Sequence, residues 1–220
     1  MNTSLLRNIV TIHSVPTRIV VLTLVASVAS EVAALVLGMP LWAAVVAGLA
    51  PWVPLFTREM VWTYRQYGLL ALYYVLVVTQ GGHMMEHVAQ MVQIHMLGWP
   101  GPQAHGVFGA LDTEWVHVIW NSVVFVSVVV LLWRFRANRW LWLTLLFAGW
   151  HQIEHMYIMS IYLSTGIAGT PGLLSRGGAI EGGLAITRAD LHFLYNLVET
   201  TPLLIGFVVQ FRREREASES

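Results

Sequence analysis

The sequence contains no cysteine, no lysine and few charged residues. Without Cys, the chain of 220 residues has no disulfides, thiolate metal ligands or cysteine nucleophile, so any metal must bind nitrogen or oxygen atoms. The charged fraction is only 11%, and the twelve basic residues, all Arg, balance twelve acidic ones without forming a basic tract. This charge pattern argues against nucleic acid as a partner.

Apolar residues, by contrast, are abundant and lie in long runs. They make up 56% of the chain, and the charges fall between runs of about 20 residues, the length that spans the hydrocarbon core of a bilayer. This pattern predicts an all-α integral membrane protein that crosses the lipid bilayer with about six transmembrane helices. The predicted spans cover roughly residues 19–38, 41–56, 67–97, 114–133, 140–163 and 191–211.

Arginine positions predict how these helices cross the membrane, because segments rich in Arg face the cytoplasm. Arg7 and Arg18 precede the first span, and other Arg clusters lie between spans two and three, between spans four and five, and after span six. Both termini are therefore expected on the cytoplasmic side of the cell (plasma) membrane. The loops at about 98–113 and 164–190 are expected outside.

Three short motifs occur twice in the same order. The matched pairs are His83-Met-Met-Glu86-His87 with His151-Gln-Ile-Glu154-His155, His117-Val-Ile-Trp-Asn121 with His192-Phe-Leu-Tyr-Asn196, and Gly98-Trp-Pro100-Gly101 with Gly169-Thr-Pro171-Gly172. This order predicts that spans three–four and five–six, at about 67–135 and 139–211, are copies of one helical hairpin related by a pseudo-two-fold axis. Residues 67–220 would form a four-helix metal-binding bundle, and residues 1–66 a two-helix scaffold.

The repeated motifs predict a metal site inside that bundle. Residues at i, i+3 and i+4 share one face of an α-helix, so each of the four helices should present a polar stripe. Counting the helical rise places the four stripes together in the outer half of the membrane. The predicted metal ligands are His83, Glu86, His87, Glu114, His117, His151, Glu154, His155, His192 and Glu199. Glu86, Glu154 and Glu199 are the predicted catalytic residues, while Asn121 and Asn196 are expected to bind the cofactor weakly, hold water or orient an imidazole.

The number of candidate ligands favours two metal ions over one. A single zinc takes about four ligands, and facing helices with Glu and His are known to hold di-iron centres. We therefore expect two ions, iron first with zinc or copper as alternatives. The expected function is a membrane di-iron oxidase or oxygenase that acts with O₂, and with a possible electron-donor protein, on a lipid or another hydrophobic small molecule.

One resemblance to a known family is consistent with this expectation. The His-x-x-x-His spacing at His83/His87 and His151/His155 resembles one histidine box of the membrane di-iron desaturases and hydroxylases. The other boxes of that family, which contain adjacent histidines, are absent here, and its site lies on the cytoplasmic side. The resemblance covers only these two short segments and transfers no residue role.

Three other functions stay open. A membrane zinc hydrolase of lipid amides or esters would use the metal to activate water, but needs only about three protein ligands. A metal-ion transporter would need a polar path to the cytoplasm, whereas residues 69–78 and 141–147 are almost wholly apolar. A haem protein should lack the glutamates adjacent to its histidines. His95 and His105 are expected to be helix–helix hydrogen-bond partners instead of ligands.

Overall fold

The protein is all-α, as predicted. A computed structural model describes residues 15–100, 103–107 and 114–219, which contain no β-strand. The helices are α1 (Thr17–Val36), α2 (Leu41–Leu49), α3 (Val53–Tyr67), α4 (Leu69–Met91), α5 (Glu114–Arg134), α6 (Arg139–Thr165) and α7 (Arg188–Glu219). Arg7 and Gly101, on which the topology and loop predictions partly depend, lie outside the described residues.

Three of the described helices are long and apolar enough to cross a membrane: Thr17–Val36, Glu114–Arg134 and Arg188–Glu214. The predicted second span is instead two helices, because α2 ends at Leu49 and a 3₁₀ turn at Ala50–Trp52, which includes Pro51, leads into α3. Proline lacks the backbone N–H that a continuous helix would use. Helices α4 and α6 are not among these three, because their polar histidine motifs lower the average hydropathy of each helix. The total of six membrane spans therefore stays a prediction.

The chain forms two compact units that divide after Leu72. In the first unit, α1 packs against α2 through small residues, with Ala34 and Ala44 both buried. Ser27 donates a hydrogen bond to the Gly48 carbonyl, and the Glu31 carboxylate lies over Gly48, where a larger side chain would meet it. Small residues allow this close approach of the two helices.

In the second unit, α5, α6 and α7 pack against one another in chain order. At one end, Asn138 caps α6 by accepting a hydrogen bond from the Trp140 N–H at 3.2 Å, and donates to the Gly206 carbonyl on α7 at 2.8 Å. Helix α4 joins α7 through Tyr73, whose buried hydroxyl donates to the Leu203 carbonyl at 3.0 Å. These side-chain bonds fix the relative position of the helices that carry the histidines.

Polar side chains lie inside this unit, and apolar side chains cover much of its surface. On α6, His151, Glu154 and His155 are buried, whereas Ile153 and Met156 are exposed. A water-soluble helix places its apolar side inward, and a helix in lipid turns its ionisable groups to the bundle interior. The distribution is consistent with membrane association.

Candidate metal centre

Three buried histidines from α6 and α7 converge on one point. His151, His155 and His192 are only 1%, 1% and 5% exposed. The Nε2 atom of His155 lies 3.1 Å from Nε2 of His151 and 3.1 Å from Nε2 of His192. A metal bound at about 2.0–2.1 Å from each nitrogen fits this spacing. We call these residues the closed trio, and it could bind a metal ion.

Neighbouring oxygen atoms orient two of these rings. His151 donates from Nδ1 to Glu199 Oε2 at 3.1 Å, and His192 donates from Nδ1 to the Arg188 carbonyl at 3.0 Å. In a neutral imidazole the second nitrogen then carries a lone pair, so both Nε2 atoms present lone pairs to His155. A single proton on His155 Nε2 can bond only one of them, whereas a cation between the rings would satisfy all three. Metal-binding histidines characteristically have such partners on the other nitrogen.

Three further histidines, from α4 and α5, lie beside the closed trio. His83 and His87 approach to 3.3 Å between their Nε2 atoms, and the ring of His117 lies 6.2 Å from each of theirs. We call His83, His87 and His117 the open trio, since His83 and His117 are only half-buried. The structure thus brings together all six histidines of the predicted ligand set.

The two trios are in direct contact. The ring of His117 stacks on that of His155, with centroids 5.3 Å apart and planes 9° from parallel. The His87 and His192 rings are 6.4 Å apart. Two metal ions held by these rings would therefore be close neighbours.

The predicted carboxylate ligands lie around the histidines, and their contacts differ. Glu199 contacts an imidazole, through the hydrogen bond to His151 Nδ1. Glu154 accepts the Leu173 backbone N–H at 2.9 Å with one oxygen, while the other, buried oxygen has no hydrogen-bond partner among the described residues. Glu86 points toward Gly106 in the loop between α4 and α5.

Glu114 is held by an arginine. Its two carboxylate oxygens accept hydrogen bonds from the Arg188 guanidinium at 2.9 and 2.6 Å, and one of them also accepts the Gly169 N–H at 2.9 Å. This bidentate pair connects α5, α7 and the loop between α6 and α7. Because Arg188 also supplies the carbonyl that orients His192, it supports the closed trio from outside it.

Asn121 and Asn196 contact the backbone of the histidine one turn earlier. Their amide groups donate to the carbonyls of His117 at 2.9 Å and His192 at 3.0 Å. Asn196 also accepts a hydrogen bond from Gln80 at 3.1 Å. Of the three predicted roles, which were weak cofactor binding, holding water and orienting an imidazole, these contacts favour the last, because each asparagine braces the helix that carries a histidine.

Gln80 is a residue of the site that the sequence analysis missed. It is fully buried and donates to Asn196 and, at 3.3 Å, to Glu199 Oε1. Its own side-chain oxygen accepts the Trp120 indole N–H at 3.0 Å. The available signal was its position three residues before His83, on the same helical face, in an otherwise apolar run.

The two remaining predicted hydrogen-bonding histidines lie outside both trios. His95, in the π-helical turn Val92–Met96 that continues α4, contacts Asp190 of α7 at 2.7 Å, as expected for a helix–helix partner. His105 is exposed and lies at the edge of a cavity of about 260 Å³. The open trio and Glu86 form one side of this cavity, and Thr79, Gly82, Val116 and Trp120 form much of the rest.

Comparisons with known proteins give no assignment for this site. No protein-family model, curated protein or solved structure matches the chain. The function must therefore be argued from the chemistry of the site alone.

Proposed function

We propose that this protein is an integral membrane metalloenzyme in which six histidines hold two metal ions and which oxidises a hydrophobic small molecule with O₂. The observation that carries the proposal is the stacked contact between His117 and His155, which puts the two trios side by side. Adjacent redox-active ions can together pass two electrons to one oxygen molecule. Protein side chains cannot do this chemistry alone and leave it to metals or organic cofactors. A separate electron-donor protein would return the site to its reduced state.

Copper is the metal we propose first, ahead of the iron expected from the sequence. Imidazole suits copper, zinc, iron and nickel, and copper(II) binds most tightly to a given nitrogen site. Di-iron bundles instead use several carboxylates as ligands. In this chain Glu114 is bound by Arg188, Glu154 by Leu173, and Glu199 by His151. These three carboxylates are thus each engaged through at least one oxygen, although the second oxygen of Glu154 has no partner among the described residues. The six imidazoles are therefore the main donors at the centre, which favours copper over iron.

Matched contacts support the idea that the bundle is a duplicated hairpin. The His83–His87 and His151–His155 ring separations are both 4.8 Å. His83 lies 5.4 Å from the ring of Trp120, and His151 lies 5.2 Å from the ring of Tyr195, the residue at the matching position. Glu86 and Glu154 each face a glycine with positive φ in the loop that follows, Gly106 and Gly172. A pseudo-two-fold axis between the trios accounts for the two ring contacts, whereas Gly106 is not the sequence counterpart of Gly172, which the repeated loop motif aligns with Gly101.

The same pairing supports four membrane-spanning helices in this unit. If the hairpins are copies, α4 and α6 cross the membrane in the same sense, and α5 and α7 return. The inward-facing polar side chains of α6 lower its average hydropathy without exposing polar groups to lipid. With Arg134, Arg136 and Arg139 on the cytoplasmic side, the metal centre lies in the outer half of the membrane.

A zinc hydrolase is the second candidate, because one observation favours it. Three histidines with an open coordination position form a common catalytic zinc site, and the open trio borders a cavity. This function would leave the closed trio without a chemical role. Haem fits less well at the closed trio, since the Nε2 atoms of His151 and His192 each lie 3.1 Å from that of His155, which leaves no room for a porphyrin ring between them.

Metal analysis of protein purified without added metal tests the proposal. We expect about two copper ions per chain, as the donor set indicates, with an electron paramagnetic resonance signal that changes on reduction. His155→Ala and His87→Ala should each lose metal, while His95→Ala, a histidine outside both trios, should retain it. Two iron ions would keep the dinuclear oxidase but reject copper. One zinc ion without redox activity would favour the hydrolase, and metal loss in His95→Ala would contradict the site assignment.

A further inference from the structure

The two trios differ in the size of the residues that precede their first histidine on α4 and α6. In the matched sequences, the residue before His151 is Trp150, whereas the residue before His83 is Gly82. One helical turn earlier, Phe147 matches Thr79. Thr79 and Gly82 line the cavity beside the open trio, whereas the matching positions before His151 carry the large side chains of Phe147 and Trp150. Trp150 also donates from its indole N–H to the Tyr195 hydroxyl at 3.1 Å, which fixes it in place.

The cavity of about 260 Å³ lies where these small residues stand. A Cβ atom added to Gly82 would meet no atom within 4 Å, so the space beside it is open. The asymmetry between otherwise matched hairpins is thus a difference in side-chain volume at two positions. It leaves one trio enclosed and the other beside a cavity.

Polar groups on the cavity wall away from the histidines are already hydrogen-bonded within the protein. The Thr79 hydroxyl donates to the Val75 carbonyl at 2.9 Å, and the Trp120 indole N–H donates to Gln80. The Gln90 amide donates to the Ala104 carbonyl at 2.9 Å. The surface that this wall presents to a bound molecule is therefore mainly apolar, and it consists of the indole ring, the Val116 side chain and the Gly82 backbone. Such a wall selects by shape and apolar surface instead of by hydrogen bonds.

We propose that this cavity binds a small apolar molecule and delivers it to the open trio. An apolar cavity of about 150 Å³ holds one benzene molecule, so at the same packing this cavity accommodates about ten non-hydrogen atoms. An aromatic bicycle or a short hydrocarbon fits, and a whole diacyl lipid does not. That this molecule is the substrate rests on the proposed function, but its binding does not, because the cavity is formed by the protein alone.

Fluorine NMR on protein containing fluorinated tryptophan, reconstituted in nanodiscs, tests the binding without any metal. The Trp120 resonance is assigned by its loss in Trp120→Phe. Naphthalene should shift this resonance saturably, and the larger hydrocarbon pyrene should not. Gly82→Leu should abolish the naphthalene shift by filling the cavity. Gly81→Leu is the matched control, since a Cβ there also meets nothing within 4 Å but Gly81 does not line the cavity.

The outcomes separate this inference from the proposed function. Saturable shifts in the wild type and Gly81→Leu, lost in Gly82→Leu, support the cavity site whatever metal the protein holds. An unsaturable shift, an equal response to pyrene, or an unchanged response in Gly82→Leu would overturn it. If Gly82→Leu does not fold, Thr79→Leu fills the same cavity from the next turn of α4 and takes its place.

Discussion

Replacement of Gln80 by Leu tests whether hydrogen bonds from outside the trios hold the metal centre together. Leu is close to Gln in size, so the change removes polar atoms with little change in packing. It leaves three groups without this partner: the half-buried Trp120 indole N–H and the buried Asn196 Oδ1 and Glu199 Oε1. Without Gln80, Glu199 is free to turn away from His151.

The expected loss of stability follows from those three contacts. Side-chain hydrogen bonds between membrane helices contribute about 0.6–2 kcal/mol each, so the loss of three should destabilise the protein by about 2–6 kcal/mol. Loss of a partner that orients a ligating histidine typically weakens metal binding by about 10–100-fold. Because Glu199 is the contact of His151 Nδ1, we expect the weaker metal binding to arise at the closed trio.

Chelator competition measures the metal affinity, and thermal unfolding of the same samples measures stability. Gln152→Leu is the matched control: Gln152 lies next to His151 on the same helix but donates to Ser122 at 2.9 Å, away from the centre. It should lower stability slightly and leave metal affinity unchanged. Unchanged affinity in Gln80→Leu, or an equal loss in Gln152→Leu, would refute the reasoning.

Two further predictions concern the supports of the site. Gly172→Ala should destabilise the protein more than Gly166→Ala in thermal unfolding. Both glycines have positive φ, which costs about 1–2 kcal/mol for Ala, but only at Gly172 would the methyl group also collide with the Glu154 carboxylate. Equal losses would show that the contact is unimportant. Arg188→Met should cost about 3–5 kcal/mol by leaving the buried Glu114 carboxylate unpaired. The double variant with Glu114→Gln should recover part of that loss, and a double-mutant cycle without coupling would contradict the pairing.

The histidine set could be predicted from the sequence because its geometry is local. Residues three and four apart share a helical face whatever surrounds the helix. The side chains of His151 and His155 must therefore point to the same side of α6. The repeat of the motif then indicated that His83 and His87 would do the same. The all-α fold followed from long apolar runs for a similar reason, since lipid leaves few alternatives to helices.

The carboxylates could not be assigned in the same way. Glu114 has the spacing of a ligand relative to His117, yet its partner is Arg188, which lies 74 residues away. Glu154 shares a face with His151, but the backbone of the following loop binds one of its oxygens. A carboxylate binds the nearest strong donor, and which donor is nearest depends on how loops return to the helices.

By itself, the sequence determined the all-α fold, the six histidines and the helical face on which each lies, because these faces depend on spacing along a single helix. The tertiary structure decided which histidines are enclosed and which border a cavity. It brought Glu199 and Gln80 behind the closed trio, and it left a cavity beside the open trio where Gly82 takes the place of a tryptophan. Enclosure and access are properties of the space between helices, and that space is defined only once the helices pack.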